Sequence, residues 1–265
     1  MKSAGFIGTG KMGGALASTV IKNLGGENVL LADNFIEKAK EVAGESGAEC
    51  TDAATLCQNC KFIFIGVKPQ VIGETFEQIK STLLSREDRF IIVSMAAGVT
   101  TERISAMLRK DVPVIRIMPN TSVSVGAGMT LYCPNTLVTD EEVAEFTSML
   151  SLSGELERID EGLIDAGMAV SGCGPAFIYL IMQALADGGE KLGLEVDTAL
   201  KLARQTVLGA ASLAIESGIL PEQLKKDVCS PGGATIEGIY VLEDAGVPNA
   251  FIDAVKAAYD KAKKL

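Results

Sequence analysis

The 265 residues are too many for one small core and fit one large domain or two of ordinary size. Apolar residues at 48% and charged residues at 22% match soluble globular proteins and exclude disordered or fibrous classes. A net charge of -10 without a long basic run gives no electrostatic grip on nucleic acid, so any bound phosphate must be held by local backbone N–H groups.

The chain opens MKSAGFIGTGKMGG, a glycine-rich turn where a secretory signal would need an unbroken apolar stretch, so a cytoplasmic protein is expected. Short β-rich runs then alternate with helical patterns as far as about residue 158. The strands are expected at Ala4 to Ile7, Val29 to Ala32, Phe62 to Val67, Phe90 to Ser94, Val112 to Ile117 and Met129 to Cys133. The helices between them are expected at Met12 to Leu24, Ile36 to Ser46, Val71 to Leu84 and Thr101 to Arg109. This alternation predicts an α/β fold: an N-terminal Rossmann-type parallel sheet built from βαβ units.

After residue 160 the strand-like runs stop. Pro175 suits a first helical turn, and the apolar run Ala176 to Met182 after it predicts a helix buried on most sides. Val196, Ala199, Leu200, Ala203, Val207, Ala210, Ala211 and Ala214 share one helical stripe, rich in small residues that let another helix approach. Helices at Ala234 to Asp244 and Pro248 to Lys264 complete an all-α second half, with domains 1–160 and 161–265. The uncharged windows Ile117 to Thr139 and Ala166 to Ala186 are broken by PNTS and SGCGP, and read as buried loop and core helix, with no membrane span. Six cysteines in a long chain without a signal fit reduced thiols. Cys57 and Cys60 are the one close pair, histidine is absent, and no metal site is expected.

Gly8-Thr9-Gly10-Lys11-Met12-Gly13 supplies G-x-G-x-x-G between the first strand, ending at Ile7, and the first helix. The first glycine permits the tight turn, the second lets the backbone approach a pyrophosphate, and the third allows close helix-sheet packing. The end of the second strand reads Asp33-Asn34. An acid there hydrogen-bonds ribose hydroxyls, whereas a 2′-phosphate wants a cation, which Lys38 or Lys40 would have to provide, so NADPH or NADH stays open. A helix cap is the other reading of Asp33.

Val67-Lys68-Pro69, Met95-Ala96-Ala97 and Asn120 follow later strands on the same rim. Small residues there allow a flat nicotinamide ring to lie against backbone, and Asn120 offers a bond to its carboxamide. Plain turn chemistry is the alternative at each loop. Near the end, Ser230-Pro231-Gly232-Gly233-Ala234-Thr235 is a Gly-Gly turn opening a helix, a seat for a substrate carboxylate with the Thr235 hydroxyl as neutral donor; a bare capping loop fits equally.

With these residues assembled, the chain resembles the pyrroline-5-carboxylate reductases, enzymes of the last step of proline synthesis. The resemblance rests on GFIGTGKMG, GVKPQ, SMAAGVT, VIRIMPNT, SGCGPAF, LADGGEKLGL and DVCSPGGATIEG, in that order and at compatible spacing. It implies an N-terminal cofactor domain and a C-terminal all-α dimerisation domain forming an intertwined homodimer, which in some members builds rings of dimers. It implies a substrate site completed at the dimer contact. By that resemblance Gly8 to Gly13, Val67 to Pro69 and Met95 to Ala97 contact cofactor, while Ser230 and Gly232 to Thr235 hold the substrate carboxylate, with Thr235 nearest the ring nitrogen. The chain departs from the pattern at Asp33-Asn34, Ala53, Ser122 and Leu220. The first two touch the adenosine end of the cofactor.

The implied reaction is hydride transfer from NAD(P)H to the C=N bond of a cyclic imino acid. An imine nitrogen takes a proton before hydride arrives, so a strong general acid is dispensable and Thr235 or water suffices. The nearest competitor is a β-hydroxyacid dehydrogenase using Lys191 or Lys201 as acid; a nucleotide sensor would leave Ser230 to Thr235 idle.

Overall fold

The structure, a computed structural model, describes residues 1–264. In chain order the first half contains β1 (Lys2–Ile7), α1 (Lys11–Leu24), β2 (Val29–Ala32), α2 (Ile36–Ala43), β3 (Glu49–Cys50), α3 (Ala53–Asn59), β4 (Cys60–Ile65), α4 (Ile72–Leu84), β5 (Ile91–Ser94), α5 (Thr101–Leu108), β6 (Val114–Pro119), β7 (Gly128–Pro134), α6 (Asp140–Met149) and β8 (Gly154–Arg158). These strands make one eight-stranded sheet in the order β3-β2-β1-β4-β5-β6-β7-β8. All pairs are parallel except β6 with β7. The first six strands have the order of a dinucleotide-binding fold, whose ligand crevice lies where the order reverses, between β1 and β4.

Every residue of β2, β5 and β6 is buried, as expected of parallel strands covered on both faces. The sheet divides the core in two. One face carries Phe6, Phe64, Leu16, Val20 and Phe146, and the other Ile63, Ile65, Phe76, Ile79 and Ile104. Phe6 and Phe64, register partners on β1 and β4, stack with centroids 4.3 Å apart. The crevice strands are therefore rigidly paired beneath the candidate site.

Helical structure follows from residue 161: α7 (Ile164–Gly167), a π-helical turn at Met168–Gly172, α8 (Gly174–Lys191), α9 (Val196–Ser217), α10 (Pro221–Asp227), α11 (Ala234–Asp244) and α12 (Val247–Ala262). Two compact units emerge: Met1–Cys173 joined by the residues from Ala258 on, and Gly174–Ala257. The first extends past residue 160 because Ile164 and Met168 pack with Met118 and Leu131. Buried Arg116 adds an ionic tie, 3.0 Å from Asp165 and 3.6 Å from Glu161, and the Glu161 carboxylate accepts from the Thr101 N–H and hydroxyl at 2.8 Å each.

Two expectations are corrected in the helical half. SGCGP does not break the second window; Ser171 and Gly172 lie in a π-helical stretch that leads directly into α8, within a helical run of Glu161–Lys191. Nor is that run buried within one chain, as a core helix would be. It is long and apolar enough to cross a membrane, with mean hydropathy 1.5, yet only 6% of its apolar window is buried. Within Gly174–Ala257 only Ala186, Ala199 and Ala203 are buried, where α8 packs on α9. Tyr179, Leu180 and Leu185 on α8, and Leu202, Leu208 and Leu213 on α9, are exposed. Surface of this composition is stable in water when a further surface covers it.

Candidate active site

The glycine loop sits at the β1/β4 crossover and is closed by backbone contacts that no side chain would permit. Gly8 has φ +93°, and its N–H donates to the Ala32 carbonyl at 2.8 Å. A Cβ on Gly13 would lie 2.1 Å from the Gly8 carbonyl oxygen, and one on Gly66 would lie 2.5 Å from the same atom. Gly66, which sequence reading left out of the site, is thus the third member of an interlock. Its place directly after the β4 strand is the signal that pointed to it.

Gly10 differs from its neighbours. A Cβ there would meet nothing within 4 Å, so its backbone faces open space at the N-terminus of α1. No side chain caps that helix, and its first turn holds no acidic residue. Free N–H groups, the positive end of the helix dipole and an open glycine fit a pyrophosphate. A groove of about 490 Å³ beside the loop is lined by Thr9, Gly10 and Lys11 and, from α2, by Lys38 and Glu41. A larger groove of about 650 Å³, between α5 and Asn135–Leu137, contains none of the candidate residues. It lies at the amino end of β6, the wrong edge for a ligand of this fold.

Asp33 is held on three sides. Its Oδ2 accepts from the Thr9 N–H at 2.8 Å and the Thr9 hydroxyl at 3.2 Å, and its Oδ1 accepts from the Phe35 N–H at 2.9 Å. The cap reading is thereby corrected, because the N-cap of α2 is Phe35, without a side-chain bond. Asn34 is exposed beside it. Lys40 is taken by Glu37 at 3.0 Å, while the Lys38 ammonium lies 4.8 Å from the centroid of the Phe35 ring.

Further along the rim, Lys68 is exposed and Pro69 opens a 3-10 turn, so this loop presents a fixed backbone. Met95 is half-buried, its N–H reaching the Ile65 carbonyl at 3.3 Å. At three expected contacts the side chain is engaged within the protein. The Ile7 and Ala96 side chains are buried in the core, leaving only their backbone for a ligand. Asn120, 9% exposed, donates through Nδ2 to the Ser171 carbonyl at 3.0 Å and accepts through Oδ1 from the N–H groups of Ser122 and Met129. Its oxygen and one of its two amide hydrogens are engaged inside the protein, so it positions the turn after β6 and keeps one amide hydrogen for a further partner.

In the helical unit, Gly232 has φ +69° and the Gly233 N–H closes the turn onto the Ser230 carbonyl at 3.0 Å. A Cβ on Gly233 would strike the Ser230 hydroxyl at 2.5 Å. Gly233 is the N-cap of α11, no side chain caps it, and Ala234 and Thr235 are exposed in its first turn. The turn therefore presents uncapped N–H groups and a hydroxyl, donors suited to a carboxylate. Lys191 and Lys201, the acids that a hydroxyacid dehydrogenase would need, are exposed on α8 and α9. Cys57 and Cys60 are buried, and burial pushes both thiols up to about 12, so neither is a reactive thiolate.

Residues 161–265 match the family model described as pyrroline-5-carboxylate reductase dimerisation, and residues 3–98 match one described as NADP oxidoreductase, coenzyme F420-dependent. The pyrroline-5-carboxylate reductase of Aquifex aeolicus is 37% identical, with 98% of this chain and 96% of that one covered. That of Escherichia coli is also 37% identical, with 100% and 98% covered. Among solved structures, the reductase of Coxiella burnetii has a TM-score of 0.91 at 33% identity, covering 99% of this chain and 98% of that one. The Plasmodium falciparum enzyme, solved with NADP bound, has a TM-score of 0.87 at 29% identity, covering 99% and 97%.

Proposed function

The chain belongs to the pyrroline-5-carboxylate reductase family, and from that premise we propose which of its residues carry the reaction. It is an NAD(P)H-dependent oxidoreductase that reduces the C=N bond of 1-pyrroline-5-carboxylate to give L-proline. Residues 1–160 serve the dinucleotide, and residues 161–265 serve dimerisation and the substrate. When bound, the reduced nicotinamide supplies hydride. The backbone of Gly8 to Gly13 holds the pyrophosphate, and the loops at Val67 to Pro69 and Met95 to Ala97 line the ring.

The observation that carries the substrate assignment is the uncapped start of α11 behind Gly232 and Gly233. In a protein of net charge -10, a substrate carboxylate needs a local seat, and Ser230 with Gly232 to Thr235 supplies one from neutral donors. Seating the carboxylate fixes the orientation of the small ring. The imine nitrogen enters protonated or takes a proton from water, hydride adds to the imine carbon, and the nitrogen keeps its proton in the amine product. Thr235 orients that nitrogen through its hydroxyl. The helical region makes a homodimer, the unit from which larger rings are built, and the six free cysteines fit a reducing cytoplasm.

Thr235→Val tests the assignment. The expected result is a fall in kcat/KM on pyrroline-5-carboxylate of about ten- to a hundredfold, the worth of one hydrogen bond. Full retention of kcat/KM would remove Thr235 from the mechanism.

A further inference from the structure

We propose that Asp33 and Phe35 form the adenosine subsite of the cofactor cradle, and that this subsite selects the dinucleotide whose ribose carries a free 2′-hydroxyl. The inference rests on the dinucleotide reading of the glycine loop and is independent of the imine chemistry.

The Asp33 carboxylate stands at the carboxyl end of β2, where a ribose meets this fold. Its two oxygens have three donors: the N–H and hydroxyl of Thr9 on Oδ2, and the N–H of Phe35 on Oδ1. Thr9 is 4% exposed, so swinging the carboxylate aside would strand a buried N–H. The negative charge is therefore fixed in place. Each carboxylate oxygen has two acceptor positions, which leaves one on Oδ1 for a ribose hydroxyl. A 2′-phosphate has no such proton to give and brings a second negative charge against a group that cannot retreat.

The cations nearby do not reverse this preference. Lys40 is paired with Glu37. Lys11 and Lys38 are exposed on flexible stems, and Glu41 shares their groove. Phe35 itself is 68% exposed and belongs to neither core of the sheet. A single exposed phenylalanine is ordinary. This one is joined through its backbone N–H to the ribose-binding carboxylate, so an exposed aromatic residue adjoins the ribose subsite, and its ring is assigned to the adenine.

Titration calorimetry on the full-length protein reads this without turnover, using NADH, NADPH, 5′-AMP and adenosine 2′,5′-bisphosphate. NADH is expected to bind at least about tenfold more tightly than NADPH, and 5′-AMP more tightly than the bisphosphate. Asp33→Ser should narrow the NADH/NADPH ratio by about tenfold, with a thermal melt verifying that the variant is folded. Phe35→Ala should weaken both dinucleotides by one common factor of about five or more, leaving their ratio alone. Equal or tighter binding of NADPH and of the bisphosphate to the unmodified protein would overturn the inference. So would an unchanged ratio in folded Asp33→Ser, or undiminished binding in Phe35→Ala. Should Asp33→Ser not fold, the mononucleotide pair on the unmodified protein still decides. Binding of neither dinucleotide would overturn the cofactor cradle as well, a result distinct from a reversed preference.

Discussion

The side-chain amide of Asn120 donates to the carbonyl of Ser171 at 3.0 Å. Ser171 lies four residues before Pro175, whose ring nitrogen has no hydrogen, so the helix cannot serve this carbonyl with its usual donor. Asn120 supplies the missing N–H from the turn after β6. Its Oδ1 meanwhile holds the backbone of Ser122 at 3.1 Å and of Met129 at 3.3 Å. One side chain thus joins the rim of the sheet, the start of β7 and the π-helical turn.

Asn120→Ala should lower the unfolding free energy by about 1–3 kcal/mol, the usual cost of leaving buried partners unpaired. In a Pro175→Ala background the helix regains an N–H able to reach Ser171, so the same substitution should cost less. Denaturant melts of the two single variants and the double variant measure that coupling. Strict additivity would show that the Asn120 bond does not replace the missing proline donor.

The glycines of the loop predict a separation between stability and binding. Gly13→Ala would place a methyl group 2.1 Å from the Gly8 oxygen, and should destabilise the sheet unit by about 1–3 kcal/mol through forced backbone movement. Gly10→Ala meets nothing within 4 Å and should leave the melting temperature unchanged. Its methyl would stand where a pyrophosphate approaches, so dinucleotide affinity should fall about tenfold or more. Unaltered affinity in folded Gly10→Ala would place the phosphates elsewhere.

Glu142 gives the fold an acid-sensitive tie. Its carboxylate takes two bonds from Arg89, at 2.7 and 2.9 Å, and completes a capping box with Thr139 at the start of α6. The Arg89 hydrogen bonds hold its pKa below the ordinary carboxylate range. A depressed folded-state pKa means stability that is present above the unfolded value of about 4.3 and lost as pH falls through the folded one. Glu142→Gln should cost about 1–3 kcal/mol at pH 7 and flatten the stability curve on its acid side. Equal losses at pH 7 and pH 3 would show that the charge is irrelevant.

How much of this was legible depended on burial on both faces. β2, β5 and β6 lie wholly inside, so their unbroken apolar runs read directly as strands. The edges did not read. β3 has two residues, neither buried, and the residues of β8 are half-buried or exposed, so no apolar run or alternation marked them. α6 is announced by its Thr139 and Glu142 capping signal and was still overlooked. The antiparallel turn of β7 leaves no local trace in its residues. At the site, the glycine loop was readable because its backbone demands are local. The occupation of Asn120 was not, since its amide bonds Ser171, 51 residues further along the chain. The helical stripes of the second half were also visible, but the surface that covers them is not in a single chain's own contacts.

That last point carries a prediction about assembly. Gly174–Ala257 buries three alanines, too little apolar area to order a helical unit alone, while Leu180 on α8 is 69% exposed. The dimerisation match over residues 161–265 supplies the missing cover: a second copy. The melting temperature should then rise with protein concentration, because association stabilises the folded state by mass action. Leu180→Glu puts a charge on the face to be covered, and burying it unpaired would cost several kcal/mol. Sedimentation at micromolar concentration should show this variant as monomer, with a lower melting temperature and loss of imine reduction. The sheet unit, whose core is complete without α8, should keep its dinucleotide affinity. A variant that remains dimeric at the same concentrations would show that Leu180 lies outside the covered face.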